Sequence, residues 1–204
     1  VWSPAENEQV VAVVGCLGGA GVSTVALGIA SAAGDARVVE CCTVSSSGLA
    51  GVSSAELGST PDGWVQGSRG SLVVERRGER VAGPAHCPIP SPTTRELTVL
   101  DCGWDVDLLV ADVGWLGAAV REAPAVVVVT RPTLPGLRRL EAAVGLLGAG
   151  RVYVMVIGVE KRWPRPLEQA LGSYGRALRS EGRLLGLPHD STLALEGLTP
   201  DPLP

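Results

Sequence analysis

At 204 residues the chain is long enough for one well-cored domain and too short for two comfortable ones. Apolar residues make up 46% while Phe is absent and aromatics are 3%, so the core must be Val, Leu, Ala and Ile, which suits buried parallel strands. A net charge of −4, five scattered cysteines and no apolar run of roughly 18 to 20 residues argue against a secreted disulfide framework and a membrane span, and the expectation is a soluble, cytoplasmic protein.

In chain order, Val10–Val14 reads as an apolar strand, followed by a glycine turn at Gly15, Gly18, Gly19 and Gly21. Ser23 and Thr24 then open a helix from Val25 to Ala33. Ala36–Cys41 is a second strand. The stretch 45–95 is rich in Ser, Gly and Pro and reads as an irregular insertion. Within it, Leu72–Glu75 and Glu79–Val81 flank Arg76-Arg77-Gly78 as a candidate hairpin. Glu96–Asp101 is a strand and Leu108–Glu122 contains a helix. Ala125–Thr130 and Val152–Val159 are strands around a helix at Pro135–Leu147, where Leu137, Leu140, Val144 and Leu147 keep helical spacing. Leu167–Arg179 reads as an amphipathic helix, and Leu184–Leu187 as a last strand stopped by Pro188. Strands alternating with helices predict an α/β domain over 1–204, with a parallel sheet flanked by helices on both faces in three layers.

The glycine turn between strand and helix has the layout of a phosphate cradle. Glycines let backbone N–H groups face an anion, and the helix start adds a favourable dipole. Gly18, Gly19, Gly21, Val22, Ser23 and Thr24 are the candidate nucleotide-binding residues. Such a loop needs a lysine before the Ser/Thr to neutralise terminal phosphates, and that position is Val22. A magnesium-holding acid belongs at the end of a neighbouring strand. Asp101 is the preferred candidate, because Asp112 leaves only about a dozen residues before the next strand, tight for a crossover. Asp112 stays as the alternative.

Leu17-Gly18-Gly19-Ala20-Gly21-Val22-Ser23-Thr24 resembles the deviant Walker A loop of the ParA/MinD ATPases, whose pattern is Lys-Gly-Gly-x-Gly-Lys-Ser/Thr-Thr. Val38–Cys42 sits where that family has a strand leading to a switch, Ala125–Leu140 resembles its strand-loop-helix, and Leu187-Pro188-His189-Asp190 resembles its late Pro-x-Asp loop near the base. The resemblance implies a P-loop NTPase fold and nucleotide-gated dimers that position cargo. It also places Leu17 and Val22 where the family carries its two lysines, and Cys42 or Thr43 near the switch aspartate. The implied function is therefore a pseudo-ATPase: a non-catalytic interaction scaffold or positioning subunit, with a protein partner or homodimer. No cofactor is expected beyond weak ATP/ADP-Mg binding. The alternative is a working ATPase with a cation supplied by a partner or relocated to Arg37, Arg69 or Arg131.

Three further features suggest other chemistry. Cys16, Cys41, Cys42 and Cys102 follow expected strands and form a candidate thiol cluster for a soft metal or a redox switch, against the plainer reading of small apolar fillers. Segment 131–183 holds ten basic residues against four acidic, a candidate DNA-binding surface against the plainer reading of solvated helix faces. Arg162, Trp163 and Arg165, on a Pro-stiffened loop, form a candidate protein interface. The ending Thr199-Pro-Asp-Pro-Leu-Pro is unsuited to an amphipathic membrane helix, so no membrane insertion is expected.

Overall fold

The computed structural model describes residues 2–159 and 163–203. Among them, nine strands form one sheet: β1 (Gln9–Gly15), β2 (Ala36–Glu40), β3 (Ala55–Ser59), β4 (Trp64–Arg69), β5 (Leu72–Arg77), β6 (Leu97–Cys102), β7 (Ala125–Thr130), β8 (Val152–Ile157) and β9 (Leu184–Leu187). Their order is β3-β4-β5-β2-β6-β1-β7-β8-β9. Every pairing from β5 through β9 is parallel, and only β3-β4 and β4-β5 are antiparallel. The helices are α1 (Val22–Ala33), α2 (Val106–Ala111), α3 (Trp115–Glu122), α4 (Leu134–Leu147), α5 (Arg165–Ala170), α6 (Ser173–Ser180) and α7 (Ser191–Glu196).

The central strands are near-continuous Val runs because both their faces are covered. On one face Val13, Val38, Val99 and Val129 pack against Val25, Ala26, Leu27 and Ala30 of α1. On the other, Ala12, Val14, Leu100, Val126 and Val128 pack against side chains of α2, α3, α4 and α6, among them Leu109, Leu116, Leu140 and Leu178. Period-two alternation therefore divides each strand between two cores. In β6, Leu97, Val99 and Asp101 fall on the α1 face, and Thr98, Leu100 and Cys102 on the other.

Three expectations are corrected. The hairpin is not Leu72–Glu75 with Glu79–Val81. Instead β4 and β5 pair across Gly70-Ser71, and β3 joins β4 through Thr60–Gly63, so much of the supposed insertion is an antiparallel flank of the sheet. Gly63 and Gly70 make the turns possible at φ +82° and +60°. The helix expected in Leu108–Glu122 is two helices, because Asp112 turns its carboxylate onto Gly114 N–H (3.1 Å) and Gly117 N–H (2.9 Å) and caps α3. The Leu167–Arg179 helix is likewise broken into α5 and α6. Glu141 of α4 accepts from Tyr174 N–H (3.0 Å) and Gly175 N–H (2.7 Å), satisfying the first turn of α6 from outside.

At the amino ends of the strands lies a buried charge network. Arg37, 1% exposed, donates Nε to Thr98 Oγ1 (2.7 Å), Nη1 to Ser91 O (2.5 Å) and Glu75 Oε2 (3.4 Å), and Nη2 to Glu8 Oε1 (2.9 Å). Gln66 Nε2 completes Glu75 at 2.8 Å. Truncating one partner of a buried ion network strands the others. Arg37→Ala is expected to cost about 3–5 kcal/mol in urea unfolding. A loss under 1 kcal/mol would show that Glu8 and Glu75 do not depend on it.

Candidate phosphate cradle

Strand β1 ends at Gly15, packed close under the helix start: a Cβ there would lie 2.8 Å from Val22 Cγ2, so Val22 would have to shift. Gly19 and Gly21 take left-handed backbone at φ +69° and +103°, and a Cβ at Gly21 would meet Ile157 Cδ1 at 2.4 Å. The loop thus turns back over the sheet and delivers the chain into α1, which starts without a side-chain cap. Its first N–H groups are the unsatisfied donors that make a helix start anion-binding. The loop, Ser45–Gly48 and Asp101–Asp105 line a cavity of about 550 Å³. Among the described residues, no Lys or Arg lines it.

All six candidate nucleotide-binding residues border this cavity, and so does Leu17. Ser23 Oγ accepts from Gly48 N–H at 3.2 Å. Asp101 is the last but one residue of β6, on the α1 face, 1% exposed, with no hydrogen-bond partner on either carboxylate oxygen. Burial pushes it from its ordinary 3.8 up to about 6. Asp112, the alternative, is not at a strand end; it lies between α2 and α3 with its carboxylate committed to capping. Glu40 is the register partner of Asp101 on β2 and is also buried. Burial raises it to about 7, against a 2.6 Å hydrogen bond from Arg77 N–H, with the Asp101 charge adding to the rise. Glu40 was missed in the sequence, where it is one more residue of an apolar strand; only register with Asp101 reveals the pair.

Of the three arginines considered as relocated cations, Arg131 alone touches the loop, with Nη2 3.1 Å from Gly19 O. Arg37 is at the far end of the strands, and Arg69 binds Ser31 Oγ and the Asp201 carbonyl. Three other basic residues of 131–183 bond backbone carbonyls. Arg151 donates to Val120 O and Ala123 O, Arg176 to Leu171 O, and Arg183 to Ala149 O and Val152 O.

Of the five thiols, Cys102 alone borders the cradle. All five cysteines are buried and free. Cys41 and Cys102 face away from α1 and share that core with Cys87, while the Cys102 thiol donates to Leu100 O. Cys87 was not foreseen in this group, because its Pro-rich loop gives no sign that it folds back onto β2. Cys16 stands apart beside Thr130, its thiol pushed up to about 11 by burial, and burial raises Cys41 and Cys42 as well. Such thiols stay protonated and behave as small apolar side chains. Among the described residues, no group of three His, Cys, Asp or Glu is arranged to hold a metal. Trp104 and Trp115 donate their indole N–H groups to Cys41 O (2.5 Å) and Cys87 O (2.6 Å). Trp163 is partly buried under the Arg179 guanidinium, 5.3 Å from the ring centre, while Arg165 is exposed and Arg162 lies outside the described residues. Among the described residues no helix is long and apolar enough to cross a membrane.

No family model matches the chain, and no curated protein matches it in sequence. Solved structures do match. MinD cell division protein of Aquifex aeolicus aligns over 91% of this chain and 84% of its own, with TM-score 0.55 and 15% identity. The fold is that of the MinD and ParA-type proteins. A Borrelia burgdorferi plasmid partition protein bound to AMPPNP aligns over 91% and 89%, with TM-score 0.57 and 10% identity. McdA of Cyanothece aligns over 95% and 92%, with TM-score 0.59 and 8% identity.

The carboxyl pair sets a pH dependence. Both groups are raised in the folded state, so their contribution to stability is fullest below about pH 4 and is lost as pH rises through about 6 and then about 7. Asp101→Asn is expected to flatten that decline by on the order of 2 kcal/mol between pH 4.5 and 8 in urea unfolding. An unchanged slope would mean that Asp101 is not ionising in a buried site.

Proposed function

We propose that this chain is a ParA/MinD-like pseudo-ATPase, a protein that keeps the phosphate cradle as architecture and works as an interaction scaffold or homodimer. One observation carries the reading: Leu17 and Val22 occupy the two positions where the resemblance calls for lysine, and among the described residues no Lys or Arg lines the cavity. Phosphoryl transfer relies on positioning and on neutralising charge as it moves, so a cradle of dipoles alone loses its main source of rate. Removing these cations is expected to cost roughly 10³-fold or more in turnover.

The residues present do fit a divalent cation in part. Asp101, buried and unpartnered, and Ser23 Oγ beside it would hold magnesium together with phosphate oxygens and water. Bound there, the ion would supply charge neutralisation on a nucleotide's terminal phosphates. The Borrelia partition protein binds AMPPNP, and the support for weak ATP-Mg binding in this chain comes from that likeness of fold.

A second reading, a working ATPase with a displaced cation, is favoured by the Arg131–Gly19 contact. Calorimetry of ATP and ADP with magnesium separates the two. The pseudo-ATPase is expected to bind no tighter than about millimolar and to show no turnover, with Arg131→Ala changing neither result. Val22→Lys is expected to tighten binding by tenfold or more, about 1.4 kcal/mol, without restoring hydrolysis, since Leu17 remains. Micromolar binding lost in Arg131→Ala, or sustained hydrolysis by the unaltered chain, would replace the pseudo-ATPase reading with the second one.

A further inference from the structure

After α7 the chain turns at Gly197, at φ +76°, and runs back over the cradle as residues 197–203. Three contacts fix its path. Leu198 packs into the α1-side core and reaches the loop after β2: its Cδ1 lies 3.5 Å, and its carbonyl oxygen 3.3 Å, from where Cβ atoms would stand at Gly48 and Gly51. Arg69 of β4 donates Nη2 to the Asp201 carbonyl and Nη1 to Ser31 Oγ of α1 (3.2 Å), tying strap, sheet flank and helix together. Leu203 ends on α1, with its Cδ1 3.7 Å from a Cβ built at Gly28. The strap meets the loop at the loop's own glycines, Gly48 and Gly51. A Cβ at Gly48 would stand 3.0 Å from Ser23 Cβ, so the loop lies close on α1 at this glycine while Leu198 lies on the loop.

We propose that residues 197–203 form a releasable intramolecular strap that locks loop 43–51 down on Ser23. The locked contact is Gly48 N–H to Ser23 Oγ, and it engages the hydroxyl at the mouth of the cradle. Loop 43–51 walls the cavity through Ser45, Ser46 and Ser47, and the strap adds Gly197 and Leu198 to the same wall. A loop that order–disorder switches elsewhere hold by a bound phosphate is held in this chain by its own residues. Release is built in as well. Between the strap and the face of β8, β9 and α1 lies an apolar cavity of about 900 Å³, bordered by Ile29, Met155, Ile157, Pro200, Pro202 and Leu203. The strap is therefore anchored at Leu198, Asp201 and Leu203 and under-packed beneath, the condition for local opening without global unfolding.

The test is amide hydrogen exchange on the full chain, without nucleotide, comparing Leu198→Ala and Arg69→Ala with the unaltered protein. Each variant is expected to speed exchange of 43–51, Gly48 above all, by about tenfold or more while β1, β6 and β7 keep their protection. Exchange of 43–51 within twofold of the unaltered chain in both variants would overturn the proposal. So would an equal loss of protection throughout the domain, or failure of either variant to fold, since a releasable strap must leave the domain standing. The readout needs no ligand, so it is independent of whether the chain binds or hydrolyses ATP.

Discussion

Strand β6 is paired on both edges and buried on both faces, and its two-residue period decides what the rest of the site encounters. Val99 must enter the core under α1, so Asp101 must point the same way, beneath the helix start. Leu100 must enter the opposite core, so Cys102 follows it there and meets Cys41 and Cys87. A one-residue slip would exchange a carboxylate for a thiol under the loop. Packing on two sides fixes that register so tightly that the placement of the acid is a by-product of hydrophobic burial.

The protein handles buried charge in two opposite ways at the two ends of its parallel strands. At the amino ends Arg37 is surrounded by Glu8, Glu75, Thr98 and a carbonyl, and Gln66 completes Glu75, so desolvation is offset by matched hydrogen bonds. At the carboxyl ends Asp101 has no partner and Glu40 has only the Arg77 amide to meet the same cost. The first arrangement serves stability and register. The second has the character of a site, where an unmet group persists because the fold around it is over-determined.

The sequence exposes the parallel sheet well, because strands buried on both faces must be written as Val runs such as Val126–Val129, and no tertiary knowledge is needed to see them. The glycine loop is equally plain, since positive φ at Gly19 and Gly21 leaves few other choices. What stays hidden depends on partners distant in the chain. Asp112 and Glu141 break two expected helices by capping the next one, and Glu141 does so from another element. The antiparallel flank hides in Ser- and Gly-rich sequence, although Asp62-Gly63 is a turn signal in retrospect. Glu40 and Cys87 gain meaning only from register and loop return, which local pattern does not encode.

The order of the strands carries one more consequence. Strands β4 and β5 meet across two residues, so the flank forms from local contacts. Strand β6 pairs with β1 and β2, bringing Val13 beside Asp101 and Ala36 beside Leu97, which closes two long stretches of chain. The entropy of closing those stretches is spent before any pairing returns it, and it grows with the separation. The cradle is made of pieces from both sides of that closure. It has no precursor in either half of the polypeptide, and it comes into being only when the two halves have met.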